Sequence, residues 1–579
     1  MARIDGGEML IRVLKQQGIR EIFTLHGGHL DAIFQAALDH NIRLIDTRHE
    51  QAAGHAADGW ARTTGRPGVA IVTAGPGVTD VVTGVANAYL DCIPTLIIGG
   101  AAPLVDAETL PLQGGMDQVA IMQPITKWAH RITHSQRIPE LVAQALRIAT
   151  TGRPGPVFLE IPADVLFRRT DESDVIFPQR IKLDARPAPP AAAVDRAIEW
   201  LLAAERPAIM VGGGAWFSGV GAELVKFAEH TGIPVFANTK SRGMVPDDHP
   251  LGGRGFSTLG ALAQMGGDRP DVLLILGARL GLFTAGRSGM IIPHTARVIQ
   301  VDIEGQEIGR NRDIDLGIMA DVHETVHALH AAARQKKWPD RSAWQEAVRQ
   351  VRGFADALFA EALANKEPPI HPYRLARTLA TTVEPDAIVV ADGGETSSWM
   401  DMAAEIRRGG HWLSHGYLGC LGVGMPFAIA AKVAHPNRQV VCITGDGSVG
   451  LNFAEFDTMV RHRLNIVTVV NNDQQWGMSA HGQELMYGKD RRVVTALGPT
   501  RYDLAAAGFG CHAEYVEDPN DLVPALQRAL ASDRPACVNV MTDPSVISPV
   551  TRMMVASAAP KPDDGNDAVR MPYYGERKV

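Results

Sequence analysis

Short apolar runs that alternate with helix-like segments constrain the fold of this chain more than any other feature. Residues 69–72 and 95–98 are continuous runs of this kind, and a glycine or proline follows each one closely. Such runs, separated by helices, are typical of strands in a parallel sheet that is covered on both faces. Further runs occur at residues 22–25, 44–45, 208–211, 235–237, 272–276, 298–301, 387–390, 440–443, 466–470 and 537–540. The pattern therefore predicts an α/β protein.

The apolar runs fall into three groups along the 579 residues. A chain of this length is expected to form several domains. We predict three doubly wound parallel-sheet domains, at residues 1–180, 194–335 and 367–548. A Pro/Ala-rich linker at 185–193 and a charged helical connector at 336–366 would separate them. Residues 549–579 lack periodicity and are expected to be a frayed tail or a docking segment that closes an active site.

Composition excludes several classes of function. The chain has 56 basic and 64 acidic residues without a long like-charge block, which argues against a nucleic-acid or membrane surface role. No apolar run reaches the ~18–20 residues that a membrane span requires, and the N-terminus has no signal-peptide core. Cysteines without metal-ligand spacing favour buried free thiols and a reducing, cytoplasmic location; they are Cys92, Cys420, Cys442, Cys511 and Cys537.

Two acidic residues follow neighbouring predicted strands of the third group. Asp446 follows the strand at 440–443, and Asp473 comes 27 positions later, after the strand at 466–470. A helix and a strand fill that interval, so both carboxylates return to the carboxyl edge of the sheet, where α/β proteins bind ligands. Carboxylate oxygens suit Mg²⁺. The alternative is two unrelated turn residues.

Glycines around Asp446 allow a backbone to approach phosphate, and the helix that follows offers its N-terminal amides. A second loop with the same strand, glycine turn and helix order follows residues 387–390. It is a candidate phosphate-binding loop, with a structural left-handed turn as the alternative. The residues of the two loops are Gly445, Gly447, Ser448, Gly393, Gly394, Glu395 and Thr396.

A third feature is Arg48-His49-Glu50, which precedes a segment rich in alanine and glycine. Such a segment suits a helix packed closely against another domain. Glu50 could act in catalysis as a buried carboxylate with a raised pKa. A glutamate in the first turn of a helix is also favoured by the helix dipole alone, so a structural role stays open.

The Asp446–Asp473 spacing resembles the metal and diphosphate motif of thiamine diphosphate (ThDP) enzymes. The resemblance implies ThDP and Mg²⁺ as cofactors, with Asp473 at the position usually held by the last asparagine of an Asn-Asn pair. The backbone carbonyl of Gln475 would complete the protein ligands. Glu50 would activate the aminopyrimidine of ThDP, and Leu421 would be the apolar wedge that bends the cofactor, unless it is a core leucine. The remaining expected cofactor contacts are Thr73, Gly419, Gly477 and Met478.

Five segments resemble benzaldehyde lyase and its relatives, the bacterial 2-hydroxyacyl-CoA lyases. They are residues 25–31, 46–50, 112–118, 124–130 and 415–419. This resemblance is denser than that to acetolactate synthase, which uses different residues around its substrate and usually binds FAD. It implies that His29 and Gln113 relay a proton with water, and that His26 and His415 line the same pocket. His26 and His29 could instead be a metal pair or ordinary capping or core histidines.

Departures from benzaldehyde lyase bear on the substrate. Ala163 stands where that enzyme has tryptophan, which opens space, and Glu484 stands where it has glutamine. Glu484 is a candidate acid or base, or an exposed helix residue. The tail is longer, and the CoA-dependent relatives close their C-terminus over CoA. Candidate CoA contacts are Arg552, Tyr573, Tyr574, Arg577 and Lys578.

The expected function is cleavage of a 2-hydroxyacyl-CoA to an aldehyde or ketone plus formyl-CoA, reversible as an acyloin-type condensation. The alternatives are benzoin cleavage, an acetolactate synthase-like reaction, and a non-catalytic subunit. The partners implied are a small-molecule substrate and a second copy of the chain, because ThDP lies between two chains in this family. A homodimer or homotetramer is therefore expected.

Overall fold

The computed structural model describes residues 2–179, 185–286, 288–556, 569–571 and 575–577. Local signals place the first helix, Gly6–Gln16. The side chain of Asp5 caps its N-terminus by accepting a hydrogen bond of 3.0 Å from the Glu8 amide. Met9, Leu10, Val13 and Leu14 form a fully buried stripe at helical spacing.

The first sheet has six parallel strands. Their order across the sheet is Arg43–Asp46, Glu21–Thr24, Gly68–Val72, Thr95–Ala101, Val157–Pro162 and Trp128–Arg131. The α-helices of this part are Gly6–Gln16, Asp31–Asp39, Glu50–Thr64, Pro76–Asp91, Gln118–Met122, Ile138–Thr150 and Ala163–Leu166. A short antiparallel pair joins Arg3–Ile4 to Thr170–Asp171. The chain reversal that parallel strands need is supplied by the helices between them.

The second sheet also has six parallel strands. Their order is Gly252–Gly255, Val235–Ala237, Pro207–Val211, Val272–Leu276, Arg297–Asp302 and Leu316–Met319. The helices of this part and of the connector are Ala191–Ala203, Gly213–Ser218, Gly221–Thr231, Ser257–Gln264, Val322–Ala333, Ser342–Val351, Phe354–Leu358 and Ala360–Ala364.

The third sheet contains the strands Ile388–Asp392, Val440–Gly445, Val467–Asn472, Ala536–Met541 and His512–Val516, parallel and in that order. The helices of this part are Pro372–Thr382, Gly394–Ala403, Gly424–Ala434, Asp446–Leu451, Glu455–Arg461, Gly477–Tyr487, Tyr502–Ala507, Leu522–Leu530 and Pro549–Ala556.

Across the whole described chain, single 3₁₀ turns lie at Gly28–Leu30, Leu104–Asp106, Gln123–Ile125, Ser135–Arg137, Glu172–Asp174, Thr239–Ser241, Leu282–Thr284, Gly305–Glu307 and Lys489–Arg491.

The prediction of three parallel-sheet α/β domains is confirmed. Contacts between residues group the chain into two compact units, and the first comprises residues 1–354 with 405–420, including the short strand Trp412–Ser414. The second comprises residues 355–404 and 421–579. The predicted domain boundaries stay predictions, although each sheet falls inside its predicted range.

The expectation of a frayed tail from residue 549 is wrong for its first part, because Pro549–Ala556 is a helix that buries Thr551 and Val555. A hairpin pairs Val569–Met571 with Gly575–Arg577. Tyr573, Tyr574 and Lys578 lie outside the described residues.

Three of the five cysteines are buried as predicted, whereas Cys92 and Cys420 are half-buried. Within the described ranges, no helix is long and apolar enough to cross a membrane.

Candidate active site

Asp446 and Asp473 meet at the carboxyl edge of the third sheet. Asp446 is 2% exposed, and its Oδ1 accepts a hydrogen bond of 2.9 Å from the Gly447 amide. Its Oδ2 is buried without a hydrogen-bond partner in the described part of the chain. Burial, and then the facing carboxylate of Asp473, raise the pKa of Asp446. Burial is also the main cause of the raised pKa of Asp473. Two buried carboxylates with an unmet oxygen form a donor set that fits a hard divalent cation.

Three loops surround this carboxylate pair, and contacts between them explain their glycines. Gly393 has φ +96°, and a Cβ there would lie 3.2 Å from both the Gly445 amide and the Ser448 hydroxyl. A Cβ on Gly477 would lie 2.7 Å from Asp473 Oδ2. The loop at Gly393 is therefore packed closely against the loop at Gly445, and Gly477 against Asp473, so that a side chain at either glycine would not fit without a shift. This arrangement fits the predicted diphosphate site.

Contacts also bring the other predicted residues of this edge together. The Thr396 hydroxyl accepts a hydrogen bond of 2.9 Å from the Asn471 amide group. A Cβ on Gly394 would meet Met478 Sδ at 2.8 Å, and one on Gly447 would meet the Trp476 ring at 2.6 Å. Substitution at either glycine would close the space that the loops leave.

The Asn-Asn pair next to Asp473 is used for structure. Asn471 also accepts a hydrogen bond of 2.8 Å from the Thr542 hydroxyl. Asn472 donates to Asn539 Oδ1 at 3.0 Å and to the Thr500 carbonyl at 3.2 Å. The side-chain amides of Asn471 and Asn472 are thus engaged with neighbouring strands and loops. The side chain of this turn that interacts with Asp446 is that of Asp473.

Glu395 is placed at the same edge, but its carboxylate is engaged within the protein. Its Oε2 lies 2.8 Å from His481 Nδ1, and its Oε1 accepts a hydrogen bond of 3.2 Å from the Ser548 amide. The opposite ring nitrogen of His481 lies 2.9 Å from the Pro544 carbonyl. The Gln475 side-chain nitrogen also lies 3.2 Å from this second ring nitrogen. Burial lowers the pKa of His481, and the Glu395 carboxylate, the Pro544 carbonyl and Asp473 together outweigh it, so that the net shift is upward.

In the first unit, Glu50 begins the helix Glu50–Thr64 and is 7% exposed. The His49 side chain caps this helix by accepting a hydrogen bond of 3.1 Å from the Gln51 amide. Burial, and then the negative charge of Asp80, raise the pKa of Glu50. A buried carboxyl group with a raised pKa has the property expected of a catalytic acid or base. His49, Glu50 and Asp80 have ligand atoms within 4.8 Å of one another.

The loop at residues 73–77 is the meeting point of the other predicted residues of this unit. A Cβ on Gly77 would lie 3.4 Å from Glu50 Oε1, and one on Gly75 would lie 2.9 Å from Gln113 Cβ. A Cβ on Gly100 would lie 3.0 Å from His29 Cβ and 3.2 Å from the Ala74 amide. Glu50, Gln113 and His29 therefore all lie close to one glycine loop.

His29 and Gln113 differ from His26 in their surroundings. His29 is half-buried, and burial lowers its pKa, which keeps the imidazole neutral and able to accept a proton at neutral pH. Gln113 is half-buried with φ +59°. His26 is exposed and lies 3.1 Å from Asp31 Oδ1. Among the described residues, the three possible metal ligands that lie close enough together to hold one ion are His49, Glu50 and Asp80. Neither His26 nor His29 belongs to this cluster.

His415 lines a cavity of about 90 Å³ in the first unit. Asp91, Arg62 and Lys240 line the same cavity. Burial lowers the pKa of His415. The described residues that line this cavity do not include His26 or His29, so a pocket shared by the three histidines stays a prediction.

The remaining predicted residues have separate positions. Glu484 forms an ion pair of 3.6 Å with Arg492 and is partly exposed. A Cβ on Gly419, which has φ +66°, would meet no atom within 4 Å among the described residues. Leu421 is half-buried, and Ala163 is half-buried where it begins a short helix. Arg552 is exposed in the last helix.

Sequence reasoning missed several residues that hold the site. Gln118 is 3% exposed, accepts a hydrogen bond of 2.7 Å from the Gly75 amide and donates to the Gly100 carbonyl at 3.0 Å. It lay within a recognised motif, but its spacing gave no sign of this role. His481 was missed because its partner Glu395 is 86 residues away in the chain. Asp392 accepts hydrogen bonds from the amides of Gly393 and Gly424, and its position at the end of a strand gave no sign of these contacts.

Comparison with known proteins places these sites in a family. Residues 4–121, 194–329 and 392–540 match the N-terminal TPP binding, central and C-terminal TPP binding domains of the thiamine pyrophosphate enzymes. A probable acetolactate synthase of Mycobacterium bovis is 38% identical over 548 residues, which are 94% of this chain and 97% of the relative. The acetolactate synthase isozyme 1 large subunit of Escherichia coli is 32% identical over 93% of this chain and 94% of its own length. The 2-hydroxyacyl-CoA lyase 2 of Bos taurus is 31% identical over 93% of this chain and 90% of its own length.

Proposed function

The chain belongs to the thiamine pyrophosphate enzyme family, and within it we propose that it is a ThDP- and Mg²⁺-dependent lyase. Its proposed substrate is a 2-hydroxyacyl-CoA, cleaved between the thioester carbonyl carbon and C2. The products are an aldehyde or ketone and formyl-CoA. When bound, ThDP supplies a carbon nucleophile for the thioester carbonyl.

The observation that carries this proposal is the constellation around the loop at residues 73–77. As the carbon–carbon bond breaks, the 2-hydroxyl proton must pass to a base, and the formyl carbon must take up a proton. His29, held neutral by burial, can accept the hydroxyl proton, and Gln113 can orient a bridging water. Glu50, with its raised pKa, can hold a proton at the aminopyrimidine.

The side chains that the described contacts bring to this loop, those of Glu50, Gln113, His29 and Gln118, include no lysine or arginine. A thioester substrate is neutral at its reacting end, and it needs no cationic partner there. A free 2-oxo acid would bring a carboxylate, which is stabilised by a facing cation. This difference favours the thioester over the free acid.

We propose that Asp446, Asp473 and the backbone carbonyl of Gln475 hold the magnesium ion. The unmet Oδ2 of Asp446 and the mutual repulsion of the carboxylates support the assignment. The ion would neutralise both groups and bind the diphosphate, whose oxygens can also accept hydrogen bonds from the amides around Gly393 and Gly445.

Two other reactions are the alternatives. The identity of 38% to a probable acetolactate synthase favours acetolactate formation from pyruvate as a second candidate. Cleavage of benzoin by the same residues is the third.

One set of assays separates the three reactions. Purified enzyme with Mg²⁺ and ThDP is offered a 2-hydroxyacyl-CoA, benzoin or pyruvate, and the products are quantified by chromatography. Release of formyl-CoA without benzoin cleavage or acetolactate is expected. Acetolactate formation without thioester turnover would overturn the proposed substrate, and so would benzoin cleavage without thioester turnover.

We also propose that the enzyme assembles with further copies of its own chain. Val105, Leu110 and Leu112 are 80–87% exposed within one loop. Apolar side chains clustered in this way are typical of surfaces that another protein covers. Light scattering should give the mass of a dimer or tetramer, and a monomer at micromolar concentration would contradict the proposal.

A further inference from the structure

A chain of buried and partly buried hydrogen bonds leads from the turn that contains Asp473 to the C-terminal segment at residues 544–556, and it begins at Gln475. The Gln475 side chain is 8% exposed, and its Nε2 donates to Asp473 Oδ2 at 3.3 Å and to the Pro544 carbonyl at 2.8 Å. Its Oε1 accepts a hydrogen bond of 3.2 Å from Arg492. The side chain of Gln475 thus fixes the direction of the Asp473 carboxylate.

His481 stands at the centre of this chain of contacts. It is 1% exposed, and it binds Glu395 through Nδ1 and the Pro544 carbonyl through Nε2, at 2.8 and 2.9 Å. Gln475 and His481 therefore share one acceptor. Loss of the imidazole would free the Pro544 carbonyl on one side and leave Oε2 of the buried Glu395 carboxylate without its imidazole partner.

Glu395 carries the contact on to the last helix. Its Oε1 accepts the Ser548 amide, and the hydroxyls of Ser548 and Ser398 lie 2.8 Å apart. Ser548 immediately precedes the helix Pro549–Ala556. The segment at 544–548 is therefore tied both to the loop after Asp392 and to the turn that contains Asp473.

We propose that His481 is a positioning residue for the metal site, and that it couples cation binding to the order of residues 544–556. The proposal rests on the magnesium site proposed above. Groups that orient a metal ligand without touching the metal affect affinity strongly, and their replacement costs about 10- to 100-fold. His481 acts in this way through Gln475 and the Pro544 carbonyl.

The test uses Mn²⁺ as the probe with the full-length protein. Electron paramagnetic resonance of free Mn²⁺, in the presence of ThDP, gives its affinity for the wild type and for His481→Gln. The matched control is His512→Gln, because His512 is a half-buried histidine of the same unit that bonds Glu514 at 2.9 Å. We expect Mn²⁺ to bind about 10- to 100-fold more weakly to His481→Gln and within about twofold of wild type to the control.

Hydrogen exchange measured by mass spectrometry supplies the second readout. Mn²⁺ with ThDP should protect amides of residues 544–556 in the wild type, and this protection should be lost in His481→Gln. A residue that acts in stability alone would lower the melting temperature without changing either readout in the folded protein. If His481→Gln does not fold, Glu395→Gln tests the same contacts and should shift both readouts in the same direction.

The outcomes separate the inference from the proposed reaction. Wild-type affinity and unchanged exchange at 544–556 in a folded His481→Gln variant would overturn the inference. Failure of the wild type to bind Mn²⁺ would overturn the metal site and the inference together. Absence of 2-hydroxyacyl-CoA cleavage, with Mn²⁺ binding and protection as expected, would overturn the proposed reaction alone.

Discussion

Asp91 is the centre of a buried charge network on which the helix bearing Glu50 depends. Its Oδ2 accepts a hydrogen bond of 2.8 Å from Arg62, which lies in the last turn of that helix. Its Oδ1 lies 3.4 Å from the Lys240 ammonium group and accepts the Tyr417 amide at 3.2 Å. Arg62 has a second anionic partner in Asp58, at 2.5 Å. Replacing Asp91 with asparagine keeps the shape of the side chain and removes its negative charge. Lys240 is affected most, because it loses its ion-pair partner whereas Arg62 keeps Asp58.

The size of the effect follows from the chemistry of lysine. Burial lowers the pKa of Lys240 from the ordinary value of 10.5, and the Asp91 charge opposes this shift. Breaking a buried ion pair costs about 3–5 kcal/mol. The contribution of Lys240 has a ceiling, because the ammonium group can lose its proton instead. At about 1.36 kcal/mol per pH unit below 10.5, the ceiling is about 5 kcal/mol at pH 7 and about 2 kcal/mol at pH 9.

The sign of the pH dependence follows from proton binding. In Asp91→Asn the folded state holds fewer protons on Lys240 than the unfolded state does, so its stability rises with pH relative to wild type. Urea unfolding of the first unit, followed by circular dichroism at pH 7 and pH 9, should show a loss of about 3–5 kcal/mol at pH 7 that shrinks to about 2 kcal/mol or less at pH 9.

The matched control is Glu346→Gln, which removes an exposed carboxylate that pairs with Arg349 at 2.6 Å in the same unit. Exposed pairs are screened by solvent and contribute little, so the control should change little at either pH. An equal loss for Asp91→Asn at both pH values would refute the role of Lys240, and a loss below about 1 kcal/mol would refute the buried pair.

Three further predictions concern the candidate site. Glu50→Gln should lower turnover by about 100-fold or more while ThDP still binds, as measured by quenching of tryptophan fluorescence; unchanged turnover would remove Glu50 from catalysis. Without metal, the raised pKa of Asp446 means that the folded state binds a proton at this carboxylate more tightly than the unfolded state does. The free energy of unfolding should therefore fall as pH rises through that pKa. Thermal scans in EDTA should show this slope in the wild type and a smaller one in Asp473→Asn, and equal slopes would contradict it. Gly393→Ala should cost about 1–3 kcal/mol, because φ +96° is strained for alanine, and should weaken ThDP binding; an unchanged melting temperature would contradict it.

The sequence predicts the interior strands well because they are buried on both faces. Val235–Ala237 and Val272–Leu276 have the predicted bounds, and Val440–Gly445 differs only at its C-terminal end. Val157–Pro162 was missed although it is buried throughout and lies inside its sheet, whereas two other missed strands lack that pattern. Trp128–Arg131 is half-buried throughout, and four of the five residues in His512–Val516 are half-buried. Both pair with one neighbour at an edge of their sheet, where polar residues are tolerated.

The candidate site was predictable where chemistry follows strand ends. Asp446 and Asp473 could be paired by counting a helix and a strand between them, because parallel strands bring their carboxyl ends to one edge. The contacts of Glu395 could not be foreseen in the same way, since its partners His481 and Ser548 are 86 and 153 residues away in the chain. The loop motif therefore predicted that Glu395 lies at the carboxyl edge of the third sheet. It did not predict which residues its side chain contacts.

The use of Asp473 beside an Asn-Asn pair has a physical consequence for the rest of the site. Asn472 is fully buried, its Nδ2 donates to Asn539, and its Oδ1, the atom that could bind a cation, accepts the Gln474 amide at 3.2 Å. A carboxylate in place of a neutral amide adds one negative charge to an edge that already contains Asp446 and Glu395. That charge raises the cost of the metal-free state unless a cation lies nearby. The negative charge of Asp473 contributes to the raised pKa of His481, whose bonds to Glu395 and Pro544 fix the imidazole in place. Asp473 and His481 should therefore be coupled: once Asp473→Asn has removed the extra charge, His481→Gln should cost less stability than it does in the wild type.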